Sequence, residues 1–105
     1  APVYNVENDA FTTTAPSLDA AAKMIRGAGA SLGWQMQDKG PGHIQGNLPI
    51  RSHLAVVDIN FDVERYSIRY KDSTNLKYDG STIHTNYNGW IQNLQNAITA
   101  RSSVY

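Results

Sequence analysis

The sequence predicts a two-layer α+β sandwich, with an antiparallel meander of about four strands over 34–71 covered on one face by an N-terminal helix over 18–32 and a C-terminal helix over 85–101. Three observations predict it. Apolar residues recur every three or four positions in the first and last of these segments, the spacing changes to every second residue between them, and the alternating block is apolar on one side only. Two amphipathic helices and a one-sided sheet satisfy each other when both helices lie on the same face. A chain of 105 residues, 41% apolar and without cysteine, has the size of one such domain: an extended arm or edge strand over 1–16 and a single α+β domain over 17–105.

The arm is polar and Thr-rich, with Tyr4, Val6 and Phe11 as its packing residues, and Pro16 closes it. Ser17 is placed to cap the first helix, whose opening turn carries Asp19, favourable at the positive end of the helix dipole. Leu18, Ala21, Ala22, Ile25, Ala28 and Leu32 form its buried stripe, Lys23 and Arg26 stay in water, and Gly33 ends it. Next, Trp34 and Met36 alternate with Gln35 and Gln37, and Lys39-Gly40-Pro41-Gly42 signals a turn. If Met36 faces Ile44, Trp34 falls opposite Gly46 and its indole lies over a position without a side chain.

After a turn at Pro49-Ile50-Arg51-Ser52, Ala55, Val57, Ile59 and Phe61 alternate with Val56, Asp58 and Asn60. A turn at Asp62-Val63-Glu64-Arg65 leads to Tyr66, Ile68 and Tyr70. With a loop from Asp62 to Arg65, Phe61 meets Tyr66, Ile59 meets Ile68, Val57 meets Tyr70, and Asp58 falls opposite Arg69 on the outer face. Such pairs contribute roughly 0.2–1 kcal/mol each, and a one-residue slip would turn the apolar set into water, so the register is strongly specified. The segment from Asp72 to Ile83 reads as a loop pinned by Leu76, Tyr78 and Ile83. His84 or Asn86 then caps a helix with Tyr87, Trp90, Ile91, Leu94, Ala97 and Ile98 on one stripe.

Nine basic and nine acidic residues give a formal net charge of +0, which argues against a dedicated nucleic-acid binder. The missing cysteines exclude disulfide scaffolds and zinc ribbons. No apolar run approaches the roughly 20 residues that cross a bilayer. The sequence opens Ala1-Pro2-Val3 without an initiator Met, as removal of a secretory signal predicts.

Lys71-Asp72-Ser73-Thr74-Asn75-Leu76-Lys77-Tyr78-Asp79-Gly80 and Ile83-His84-Thr85-Asn86-Tyr87-Asn88-Gly89-Trp90-Ile91-Gln92-Asn93-Leu94 resemble the C-terminal signature of small, uncharacterised proteobacterial secreted proteins, many of them lipoproteins. The resemblance extends upstream through Gly33-Trp34, Pro41-Gly42-His43-Ile44 and Arg51 to Ile59, and covers most of the chain from Leu18 onward. It implies an exported, periplasmic or outer-membrane-associated protein, and brings no established activity or catalytic residue set. Gly89 departs from the pattern, since relatives commonly carry a basic residue there.

Two groups of residues are candidates for binding. Tyr78, Asp79, His84, Asn86, Tyr87 and Asn88 place an acid, an imidazole, two amides and two phenols at a loop-to-helix junction ending near Trp90, suited to a small ligand or carbohydrate. The plainer explanation is turn and cap chemistry, which requires the same residue types. Arg65, Arg69 and Lys71 form a basic stripe on the last strand, with Asp58 as the expected counter-charge, and Leu54 and Val56 share that outer face as expected exposed apolar residues.

His43, His53 and His84 show no metal-ligand spacing, Asp62 and Glu64 sit in a tight turn, and there is no Cys, nucleophile elbow or phosphate-cradling loop. No catalytic residue, metal or cofactor is assigned. The expected function is therefore a non-enzymatic envelope protein that contacts another envelope protein or itself, as a homodimer, through the polar sheet face. Peripheral contact with membrane headgroups would use a lipid anchor outside this chain.

Overall fold

The change of hydrophobic period after Gly33 marks the boundary between helix and sheet. The computed structural model describes residues 1–105 as β1 (Val6–Ala10), α1 (Leu18–Ala30), β2 (Gln35–Gly40), β3 (His43–Ile50), β4 (His53–Phe61), β5 (Arg65–Thr74) and α2 (Thr85–Arg101). One five-stranded sheet runs β1-β5-β4-β3-β2, with every neighbour antiparallel. The α+β class is as expected. The fifth strand comes from the arm, which adds to the free edge of β5.

Both helices start where local chemistry places them. The Ser17 hydroxyl accepts from the Ala20 N–H at 3.0 Å, and His84 Nδ1 accepts from the Asn86 N–H at 3.1 Å. α1 ends two residues before the expected boundary, and Gly33 completes the exit with φ of 90°. Ala21, Ile25 and Ala28 of α1 join Tyr87, Ile91, Leu94 and Ile98 of α2 in one core with Ile44, Leu48, Val57, Ile59, Tyr66 and Ile68 of the sheet. Both helices thus cover the same face, and the opposite face carries no layer.

The β4–β5 register is as expected, with Phe61 on Tyr66, Ile59 on Ile68, Asp58 on Arg69 and Val57 on Tyr70. A bulge beyond Val57 then brings Val56 opposite Asp72, and β5 continues to Thr74 instead of giving way to a loop at Asp72. The β2–β3 hairpin differs by two residues: Met36 pairs with Gly46, and Asp38 with Ile44. The chain reverses in a tight turn at Pro41-Gly42, leaving Gly40 opposite His43 after a bulge. Gly42 has φ of 72°, and a Cβ there would lie 2.7 Å from the Phe61 carbonyl oxygen. A two-residue shift keeps each side chain on its face, so the indole still lies over Gly46. A methyl there would stand 3.1 Å from Trp34 Cε3 and 3.3 Å from Met36 Sδ.

β1 also carries a bulge, between Val6 and Asp9, with Asn8 at φ of 50°. The extra residue lets Val6 enter the core while Asp9 faces α2, where Gln95 Nε2 donates to Asp9 Oδ2 at 2.9 Å. Glu7, between them, is left on the uncovered face.

Candidate functional site

The loop-to-helix junction is built first by Asp79. Its Oδ1 accepts from the N–H groups of Ser81 and Thr82 at 3.0 and 2.8 Å, and its Oδ2 accepts from the Thr82 hydroxyl at 2.8 Å. The Thr82 N–H, then the Ser81 N–H and the Thr82 hydroxyl, hold this carboxyl down at about 2. Its oxygens close a turn. His84 anchors the next step, donating its backbone N–H to the Leu76 carbonyl at 2.8 Å while its ring caps α2. The cap requires the lone pair on Nδ1 and leaves the ring proton on Nε2.

The N-terminal segment lies across the same junction. Pro2 bridges to Thr82, the Val3 N–H donates to the Ser81 carbonyl, and the Ile83 N–H donates to the Ala1 carbonyl. The Asn88 side chain continues this pairing, accepting from the Tyr4 N–H at 2.9 Å and donating to the Pro2 carbonyl at 2.7 Å. Tyr87 is fully buried, edge-on to Tyr70 at 5.8 Å, and its hydroxyl has no hydrogen-bond partner. Burial raises that phenol well above its ordinary value. Tyr78 stacks on Tyr70 with centroids 4.0 Å apart and keeps 41% of its surface exposed, and Asn86 is exposed at the helix start. Asp79, His84 and Asn88 are thus bonded to backbone, and Tyr78 and Tyr87 both pack on Tyr70.

The uncovered sheet face is organised by side-chain pairs. Arg69 forks onto Glu7, with Nε to Oε1 at 3.1 Å and Nη2 to Oε2 at 2.5 Å. This pair lowers the Glu7 carboxyl, chiefly through the Arg69 hydrogen bond. Asp58 therefore does not neutralise Arg69, although the two are cross-strand partners. Its Oδ1 accepts from His43 Nε2 at 2.7 Å and lies 3.6 Å from Lys71 Nζ. Gln45 Nε2 donates to Asn47 Oδ1 at 3.1 Å on the same face, and Arg65 donates from Nη1 to the Asn8 carbonyl at the β1 edge.

The expected exposed apolar pair on this face is corrected. Val56 is only 7% exposed, because β4 is the central strand and Asn47 and Asp72 flank Val56 from either side. Leu54, between Pro49 and Thr74, is half-buried. The arm does not cover either residue; it lies at the sheet edge as β1.

Glu7 was not among the sequence candidates. Simple alternation from Val6 already places Glu7 on the outer face; what the sequence did not show is that the arm pairs with β5 and so sets Glu7 beside Arg69. No three His, Asp or Glu side chains converge as metal ligands would. No helix is long and apolar enough to cross a membrane. Comparisons of the chain with family models, curated proteins and solved structures find no match.

Proposed function

We propose that this protein is a non-catalytic cell-envelope module that binds a protein partner through its uncovered sheet face. The observation that carries the reading is the pairing on that face: Glu7 with Arg69, and Asp58 with His43 and Lys71, are solvent-accessible side-chain pairs. Exposed pairs of this kind add little net stability, so a partner can exchange them for its own charges at little cost. The sheet beneath holds them in register, which limits the ordering cost of binding. The envelope location follows from the resemblance of the Tyr78–Trp90 signature to secreted proteins.

The test is site-directed photocrosslinking in intact envelopes, with the reactive group at Gln45 on the sheet face or at Gln92 on the exposed side of α2. One defined adduct from position 45 and none from 92, lost in Arg69→Glu/Lys71→Glu, supports the reading. Equal labelling from both positions refutes it. An adduct of twice the chain mass identifies the partner as a second copy.

A second reading rests on Tyr78, whose exposed ring is held flat against Tyr70, with Asn86 exposed nearby. This is a platform for a sugar ring. A thermal-shift screen with glycans and peptidoglycan fragments checks it: a stabilisation lost in Tyr78→Ala supports a carbohydrate site, and a flat response removes it.

A further inference from the structure

On the helical side, opposite the open sheet face, α1 and the end of α2 enclose a groove of about 470 Å³. Ala20, Met24 and Gly27 of α1 line it, with Val104 and Tyr105 from beyond α2. The volume falls within the range of about 300–1,000 Å³ usual for small-molecule sites. Lys23 and Arg101 also line it, and neither belongs to any of the chain's ion pairs. A position in the last turn of α2 accounts for a cation at Arg101 through the helix dipole, but not for where its guanidinium lies. Nη1 stands 3.0 Å from where a Gly27 Cβ would be, at the groove wall. Lys23 is in the middle of α1 and has no capping role.

We propose that this groove binds a fatty acid, its hydrocarbon chain along Ala20, Met24 and Val104 and its carboxylate between Lys23 and Arg101. Charge complementarity selects this occupant. An apolar trough takes up methylene groups from water, and two unpaired cations beside it favour a single anionic head over a neutral or cationic one. Ala20 leaves the trough open, so a larger residue there would fill it, and the missing Cβ at Gly27 leaves room for the Arg101 guanidinium.

The test titrates a dansyl-labelled undecanoic acid into the 105-residue chain and competes it with dodecanoate, dodecanol or dodecyltrimethylammonium below their aggregation limits. Saturable one-to-one binding is expected, with dodecanoate displacing the probe at least about tenfold better than either other competitor. Ala20→Leu should weaken the probe by at least about tenfold while leaving the thermal midpoint near wild type. Lys23→Glu/Arg101→Glu should reverse the preference between dodecanoate and the ammonium, an outcome that misfolding cannot produce. Non-saturable binding, indifference to the head group, or unaltered affinity in Ala20→Leu overturns the proposal. None of these results bears on the sheet face.

Discussion

The Tyr78–Trp90 junction and the uncovered sheet face are both rich in polar side chains, yet these have different partners. At the junction the partners are mostly backbone groups: Asp79 on Ser81 and Thr82, His84 on Asn86, and Asn88 on Pro2 and Tyr4. On the sheet they are other side chains at the surface. A side chain that satisfies a backbone N–H is committed, because removing it leaves the donor without a partner. A side chain paired with another in water is exchangeable. Polar density by itself therefore marks structure as readily as function, and the identity of the partner separates the two.

Truncation at Tyr87 should give the largest effect. Tyr87→Ala empties a fully buried aromatic site and should cost about 3–5 kcal/mol in urea unfolding, enough to threaten a domain of this size. Tyr87→Phe should act in the opposite direction and raise stability by about 1 kcal/mol, because it removes a buried hydroxyl that lacks a partner. A loss in Tyr87→Phe would reveal a junction hydrogen bond and blur the contrast. The alkaline limit has the same origin. Burial raises Tyr87 and lifts Tyr66 to about 12, so their contribution is present below the ordinary phenol value of 10.0. It is lost as pH rises through the folded values. Phenolate absorbance from these two should therefore appear together with unfolding.

Asn88→Ala should come next, at about 1–3 kcal/mol, since one amide satisfies both the Tyr4 N–H and the Pro2 carbonyl. Hydrogen exchange should quicken at Tyr4 and Ile83 while the β4–β5 amides keep their protection. Exchange that quickens uniformly would mean the N-terminal segment is integral to the global fold rather than laid over the junction.

These contrasts follow how legible each region was in the sequence. Between Ile59 and Tyr70 strict alternation and a short turn left one register that buries the apolar set, and the structure has it. β1 was legible only as an arm or edge strand, because the Asn8 bulge inserts a residue after Glu7 and turns Asp9 to the same face as Val6, out of step with simple alternation. The same physics hid the end of β5, where the bulge beyond Val57 sets Val56 against Asp72. At the junction the residue types were readable, but not their partners. Nothing in a linear pattern says that Asn88 will reach Pro2, because that contact depends on the arm folding back over the whole domain. The α1–α2 groove was invisible for the same reason: Lys23 and Arg101 come to line one groove only through helix packing.

A smaller, pH-confined effect is expected at Asp79. Hydrogen bonds to Thr82 and Ser81 hold its folded value near 2, below the ordinary aspartate value of 3.8, so its contribution is complete above the unfolded value and lost as pH falls through about 2. Asp79→Asn should flatten the acid limb of the thermal midpoint between those limits, lowering the midpoint at neutral pH and converging on wild type as pH falls to about 2. An equal drop at all pH values would show that the charge is immaterial and the turn geometry is everything.

The smallest effect on stability should come from the sheet face, where it is most informative. Glu7→Gln removes half of an exposed fork, so the thermal midpoint should stay near wild type and salt should alter wild type and variant alike within error. Partner crosslinking from Gln45 should nevertheless change, because the variant leaves Arg69 unpaired and alters the charge pattern offered to the partner. The swap Glu7→Arg/Arg69→Glu decides whether the pair is committed or exchangeable. It restores an intramolecular fork with reversed polarity, so it should fold as well as wild type and still fail to form the adduct. Crosslinking that survives the swap would mean the pair only braces β1 against β5, and the sheet face would then be as structurally committed as the junction.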